Sequence, residues 1–295
     1  MIVSIKSKSA TAAIDTLGAE LKSFIDNSTG KDYIWCGDPK HWKGVSPLLF
    51  PMVGNLRNGK TMINGKEFQI PKHGIVRDKD FQILEQSDDS VVFSYSYTED
   101  TLKVYPFRFN IRLGYRITGT TLTLSYDVYN LDDKDMYYHI GAHPGFHCPL
   151  FEGEKFSDYI LQFEQKETCM SPVYDLEKLQ FSNENRVCHL NHSDILNLSY
   201  DMFQQDAIVF DDIKSRKVSL INSVTKKGVS VDFHSFEAVA FWTPMNDTAP
   251  LLCIEPWNGA AVYSDEDNEF IHKRNIQTVK SGQKESYQLV IDLLV

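Results

Sequence analysis

Phe107-Arg108-Phe109-Asn110-Ile111-Arg112-Leu113-Gly114-Tyr115-Arg116-Ile117-Thr118 is followed by Gly119-Thr120 and then by Thr121-Leu122-Thr123-Leu124-Ser125-Tyr126-Asp127-Val128-Tyr129-Asn130. Phe107, Phe109, Ile111, Leu113, Tyr115 and Ile117 share one face of the first arm, and Leu122, Leu124, Tyr126 and Val128 one face of the second. A period of two marks a strand with one buried face, and two such arms across a short glycine turn read as an antiparallel hairpin.

The pattern repeats outward in both directions. Toward the N-terminus, Ile2 to Ile5, Ala12 to Asp15 and Ala19 to Ile25 alternate, and Asn64-Gly65 sits between two β-patterned arms within Lys60 to Ile70, a strong hairpin signal. Toward the C-terminus, Ala207 to Phe210, Lys217 to Ile221, Val229 to Phe233, Ala238 to Trp242 and Ser286 to Leu294 read as strands. Residues 150 to 200 carry only a weak strand, Tyr159 to Phe163, with turn signals at Ser171-Pro172 and Ser182-Asn183. With no repeat of fixed period and no linker, the expectation is one all-β unit over residues 1–295: a large antiparallel β-sandwich with little helix.

Composition narrows the partners. Hydrophobic residues make up 42% and aromatics 12% of the 295 residues, enough for a sizeable core. A formal net charge of −10 argues against nucleic acid or an anionic membrane, both of which are held by Lys and Arg contacts to phosphate. The N-terminal segment has no leader pattern and no apolar run approaches membrane length, so a cytoplasmic location is expected. Cys36, Cys148, Cys169, Cys188 and Cys253 form neither a CxxC pair nor a disulfide framework.

Ionisable residues recur where strands meet Pro or Gly. In Tyr137-Tyr138-His139-Ile140-Gly141-Ala142-His143-Pro144-Gly145-Phe146, Pro144 pushes His143 toward an extended backbone and Gly145 permits a turn. Such a histidine, with an ordinary pKa near neutrality, suits proton transfer, although a structural histidine bonded to a carbonyl fits the same motif. His73-Gly74 repeats the device, and Leu251 to Ile254 is an apolar strand expected to end at Glu255, before Pro256-Trp257-Asn258-Gly259. A carboxylate there is costly unless paired or used. With Arg57, in the loop Gly54 to Gly59, these residues make a candidate acid–base site. A metal reading from the i, i+4 spacing of His139, His143 and His147 needs a helix that Pro144-Gly145 breaks, so no metal is expected.

LLFPMVGNLRNGK, HGIVRD, GAHPGF, QDAIVF and CIEPWNG, in that order over residues 48 to 259, resemble the aldose 1-epimerases (galactose mutarotases), and more closely their LacX-like bacterial branch. The resemblance implies a sandwich that interconverts the α and β anomers of an aldose without a cofactor. It implies His143 as general acid and Glu255 as general base, with Arg57, His73 and Asp206 as sugar-binding residues. Many members carry arginine directly after the first motif's glycine, whereas Asn55 stands there in this chain. Arg77 is a second candidate for substrate contact, against pairing with Asp78 or Glu67. Phe146, Trp242 or Trp257 would stack on the sugar.

Three other readings remain open at this level. A glycoside hydrolase would need a second carboxylate facing Glu255. A carbohydrate-binding protein would keep the fold without turnover. A sugar-phosphate mutarotase would need cations at the pocket, for which Arg57, Lys60, Lys72 and Arg77 are available. The expected partner is a small aldose, with the chain a monomer or homodimer.

Overall fold

The Phe109–Thr118 and Thr121–Asn130 strands pair antiparallel with Thr118 opposite Thr121, which puts the turn at Gly119-Thr120 as the alternation predicts. The computed structural model describes residues 1–245 and 247–295. The hairpin lies inside a nine-stranded sheet. Its order is Gln180–Asn197, Tyr159–Asp175, Lys217–Asn222, Gly228–Asp232, Lys284–Leu294, Thr121–Asn130, Phe109–Thr118, Ser90–Ser96 and Gln82–Gln86. Every neighbouring pair in it is antiparallel.

A second sheet faces the first. It runs Ile208–Phe210, Ala238–Trp242, Leu251–Asn258, Ile140–Ala142 and Leu48–Leu49, with Gly145–His147 also paired to Leu251–Asn258. Between the layers, Phe163 of the large sheet meets Phe210 and Phe241 of the second, each with ring centroids 5.9 Å apart. Ile111, Leu113, Leu122, Leu124, Leu252 and Ile254 are buried in the same cluster. Each such side chain stabilises the fold by about 1.5–3 kcal/mol, and a one-residue slip would turn a whole face to solvent, so burial fixes the register. The architecture is an antiparallel β-sandwich, about 52% strand and 6% helix. Among the described residues no helix is long and apolar enough to cross a membrane.

The Asn64-Gly65 turn forms as expected, with φ of +51° and +73° at its two central residues, the signs a type I′ hairpin requires. Residues 150 to 200 differ from the reading. They form a long hairpin, Tyr159–Asp175 and Gln180–Asn197, whose register shifts between Gln162 and Tyr174 break the period of two. Its far strand is a half-exposed sheet edge, so its sequence carries little apolar signal.

Candidate active site

Two backbone pairings bring the candidate acid–base residues together. Gly141 pairs with Trp257 and Gly145 with Cys253, so the His143-Pro144 interruption lies directly across from Glu255. His143 Nε2 is 3.2 Å from Glu255 Oε2, and both residues are buried. Glu255 does not end its strand, as the sequence suggested; Leu251–Asn258 continues through Pro256. Ile254 N–H donates to Pro144 O, and N–H groups alternate sides, so the absent N–H of Pro256 falls on the same interrupted side.

Around this pair lies a cavity of about 250 Å³, bounded among others by Trp42, Lys72, His73, Arg77, Tyr174, Asp206, Trp242 and Trp257. That is slightly below the usual range of roughly 300–1,000 Å³ for ligand pockets and suits a small ligand. Trp42 stacks on the His143 ring, centroids 4.9 Å apart and planes 22° off parallel, and so fixes the imidazole plane. The Trp242 ring meets His143 edge-on at 5.9 Å.

His73 and Asp206 both sit in the left-handed region, with φ of +66° and +69°. Non-glycine residues are held there only by their surroundings, and such positions concentrate at functional sites. His73 N–H donates to Gly54 O at 2.9 Å, while Gly54 N–H donates to His73 Nδ1 at 3.2 Å. Accepting at Nδ1 leaves the neutral ring with its proton on Nε2, a donor for a ligand oxygen. The next residue, Gly74, has φ of +84°, and a Cβ there would lie 2.0 Å from Phe50 O. Asp206 accepts from Trp242 Nε1 at 2.8 Å.

Burial sets the protonation of the pair. It pushes the Glu255 carboxyl well above the ordinary carboxylate range, with Asp206 adding to the effect. It pushes His143 down to about 3, with the cations Lys72 and Arg77 adding to burial. His73 is likewise lowered by burial, then by His143. Both shifts favour a proton on Glu255 over a second proton on the His143 ring.

Of the five residues expected at the site, His143, Glu255, His73 and Asp206 meet at this cavity and Arg57 does not. Its guanidinium donates to Gln180 Oε1 at 2.8 Å, Tyr263 O at 2.9 Å and Glu266 O at 3.0 Å. Those bonds tie the Gly54 to Gly59 loop to the long hairpin and to the segment after Glu255. Arg57→Ala is expected to cost about 1–3 kcal/mol of stability, read by denaturant unfolding, without a selective rise in KM for sugar. Arg77 lines the cavity instead, and the carboxylates the sequence offered it are engaged elsewhere: Glu67 with Lys60 and Asp78 with Lys79.

Among the proposed stacking rings, Trp242 and Trp257 line the cavity, while Phe146 is core. The reading missed Trp42, which enters from an irregular loop, and Tyr174 and Phe181, which arrive on the long hairpin. Tyr174 Oη donates to Asn55 Oδ1 at 3.1 Å and so joins that hairpin to the cavity wall. His139 and His147 lie away from the cavity, His139 tilted against Phe270 and His147 against the edge of Trp35.

Comparison with known proteins agrees with the fold. The chain is 35% identical over 299 residues to Protein LacX of Lactococcus lactis subsp. lactis, in its plasmid and chromosomal forms, with 99% of both chains covered. Its fold matches a galactose mutarotase related enzyme from Lactobacillus acidophilus with a TM-score of 0.93 at 28% identity, covering 99% of this chain and 97% of that one. A galactose mutarotase-like protein from Lactobacillus casei ATCC 334 matches with a TM-score of 0.91 at 25% identity, covering 99% and 100%. The sequence pattern described as Aldose 1-epimerase runs over residues 1–278, and with that span the chain belongs to the aldose 1-epimerase family.

Proposed function

We propose that the chain is an aldose 1-epimerase that interconverts α and β anomers by proton transfer between His143 and Glu255. The observation that carries the reading is the 3.2 Å contact between His143 Nε2 and Glu255 Oε2 at the wall of a sugar-sized cavity. Anomeric exchange moves protons at two oxygens bonded to one carbon, so an acid and a base at one cavity wall can serve both.

The reaction closes on one proton. When a sugar enters, the proton resting on Glu255 crosses to His143, which leaves a carboxylate beside an imidazolium. Glu255 takes the proton of the C1 hydroxyl, and the O1 electron pair forms the C1=O1 bond. The C1–O5 bond breaks, and O5 takes the proton of His143 Nε2. Rotation about C1–C2 exposes the other face of the aldehyde, and the same transfers in reverse close the ring. Each positioned group typically supplies about 10² to 10⁴-fold. His73 and Asp206 are the groups proposed to bind sugar hydroxyls, and the Trp242 and Trp257 rings offer apolar faces to the pyranose.

Asp206 is the second carboxylate a hydrolase would require, but its Oδ1 is held by Trp242, and the group in contact with Glu255 is a histidine. Polarimetry of freshly dissolved α-glucose and α-galactose tests the reading: the protein should accelerate mutarotation of at least one aldose and leave glycosidic bonds intact. His143, Cys253 and Glu255 have ligand atoms within 4.8 Å of one another, but a cation there would occupy the two proton-moving groups. EDTA is therefore expected to leave the rate unchanged, and a loss restored by Zn²⁺ would point to a metal mechanism instead.

A further inference from the structure

The Tyr174 hydroxyl reaches the cavity with its proton already committed. Asn55 Nδ2 donates to Leu179 O at 2.6 Å, and a carbonyl oxygen only accepts, so this contact fixes which way the Asn55 amide points. Asn55 Oδ1 therefore faces Tyr174, and the 3.1 Å bond between them uses the one proton of the phenol. A phenol oxygen that has donated its proton still has lone pairs, so Tyr174 meets a ligand as an acceptor alone. Burial and then the Asp206 charge push its hydroxyl up to about 12, which keeps that proton in place at neutral pH.

Asp206 is the neighbouring acceptor. Trp242 Nε1 holds its Oδ1, which leaves Oδ2 for a ligand. Its charge acts on Glu255 and on Tyr174, which makes Asp206 the neighbour of both on the cavity wall. Glu255, Asp206 and Tyr174 thus follow one another as oxygen acceptors, in the way O1, O2 and O3 follow one another around a pyranose. Glu255 serves O1 in the proposed reaction. Resting on the mutarotase reading above, we infer that Tyr174 Oη accepts a hydrogen bond from the O3 hydroxyl of the sugar, beside Asp206 at O2, and that Asn55 is the positioning residue that keeps the phenol an acceptor.

The long hairpin gains a purpose from this contact. Asn55 grips it at two points, Tyr174 on the Tyr159–Asp175 strand and Leu179 at the tip, before Gln180–Asn197 begins. The bulged strands therefore deliver an oxygen to the cavity at a fixed place and with a fixed polarity. Two such acceptors side by side suit the vicinal hydroxyls of a pyranose, and a sugar lacking one hydroxyl leaves an acceptor without its donor. The contact moves no proton in the reaction, so its effect falls on binding.

The test is anomeric exchange measured by magnetisation-transfer NMR on glucose, 2-deoxyglucose and 3-deoxyglucose, with Tyr174→Phe as the variant that removes only the phenol oxygen. On glucose, Tyr174→Phe should raise KM by about five-fold with kcat nearly unchanged. The wild type should lose a similar factor on 3-deoxyglucose. Tyr174→Phe should lose nothing further on that sugar, yet show its full loss on 2-deoxyglucose, as expected when enzyme and ligand each remove one side of a single bond. Asn55→Leu should also raise KM for glucose, and adding Tyr174→Phe should raise it little more; a KM unchanged by Asn55→Leu overturns the positioning role. If Tyr174→Phe leaves KM for glucose unchanged, or loses the same factor on all three sugars, the O3 contact is overturned while the mutarotase reading stands. If no sugar is exchanged, the mutarotase reading fails on its own and calorimetric titration with the same three sugars decides the binding question. Weaker binding of glucose by Tyr174→Phe with unchanged binding of 3-deoxyglucose supports the contact, and any other pattern overturns it.

Discussion

Glu255→Gln is expected to lower kcat by at least about 10²-fold on any aldose the protein turns over, while affinity for the sugar survives. The expectation follows from where Glu255 sits and how it rests. The residue is 2% exposed, opposite His143 in the strand register, and burial holds its carboxyl protonated well above the ordinary range. A glutamine has the same shape and, like the resting carboxylic acid, is uncharged and can donate to His143 Nε2. The variant should therefore unfold at nearly the wild-type denaturant concentration, which separates a catalytic loss from a structural one. What it cannot do is accept the C1 hydroxyl proton. Turnover close to wild type would show that the base is another group, and Asp206, the second carboxylate of the cavity, would take its place.

The sequence made some of this site legible and hid the rest for physical reasons. Strands with one buried face write a period of two into the chain, so the hairpin around Gly119-Thr120 and the turn at Asn64-Gly65 were readable. His143 and Glu255 stood out because Pro and Gly mark where a backbone is forced. Their direct opposition was not readable, because it depends on the pairing of Gly141 with Trp257 and Gly145 with Cys253, a long-range register. Arg57 misled because nothing local says where a loop guanidinium finds its acceptors, and here they are Gln180 and two distant carbonyls. Trp42 comes from a loop without period, and Tyr174 from a bulged hairpin at the sheet edge, so neither announced itself. What local chemistry imposes is readable residue by residue, whereas contacts made by tertiary closure are not.

His143→Asn should lose activity by a factor similar to that of Glu255→Gln, and the two losses should not multiply. The pair shares one proton, and ring opening needs both its donor and its acceptor, so a chain lacking either group has lost most of what the pair supplies. The double variant is then expected to fall little below the worse single one, as occurs when residues act as a unit. The pH profile carries the same logic, with the titration belonging to the pair. On the acid side a second proton must enter the pair, and burial has pushed His143 down to about 3, so the imidazole takes it only in strong acid. On the alkaline side the pair must lose its only proton, and the raised Glu255 holds it above the usual carboxylate range. The kcat/KM profile should accordingly show no acid limb at about pH 6.5, the ordinary imidazole value, and should fall only in strong acid and on the alkaline side of a broad plateau. An acid limb near that value in the wild type, absent from His143→Asn, would mean that the imidazole titrates independently of Glu255, and the one-proton pair would have to be abandoned.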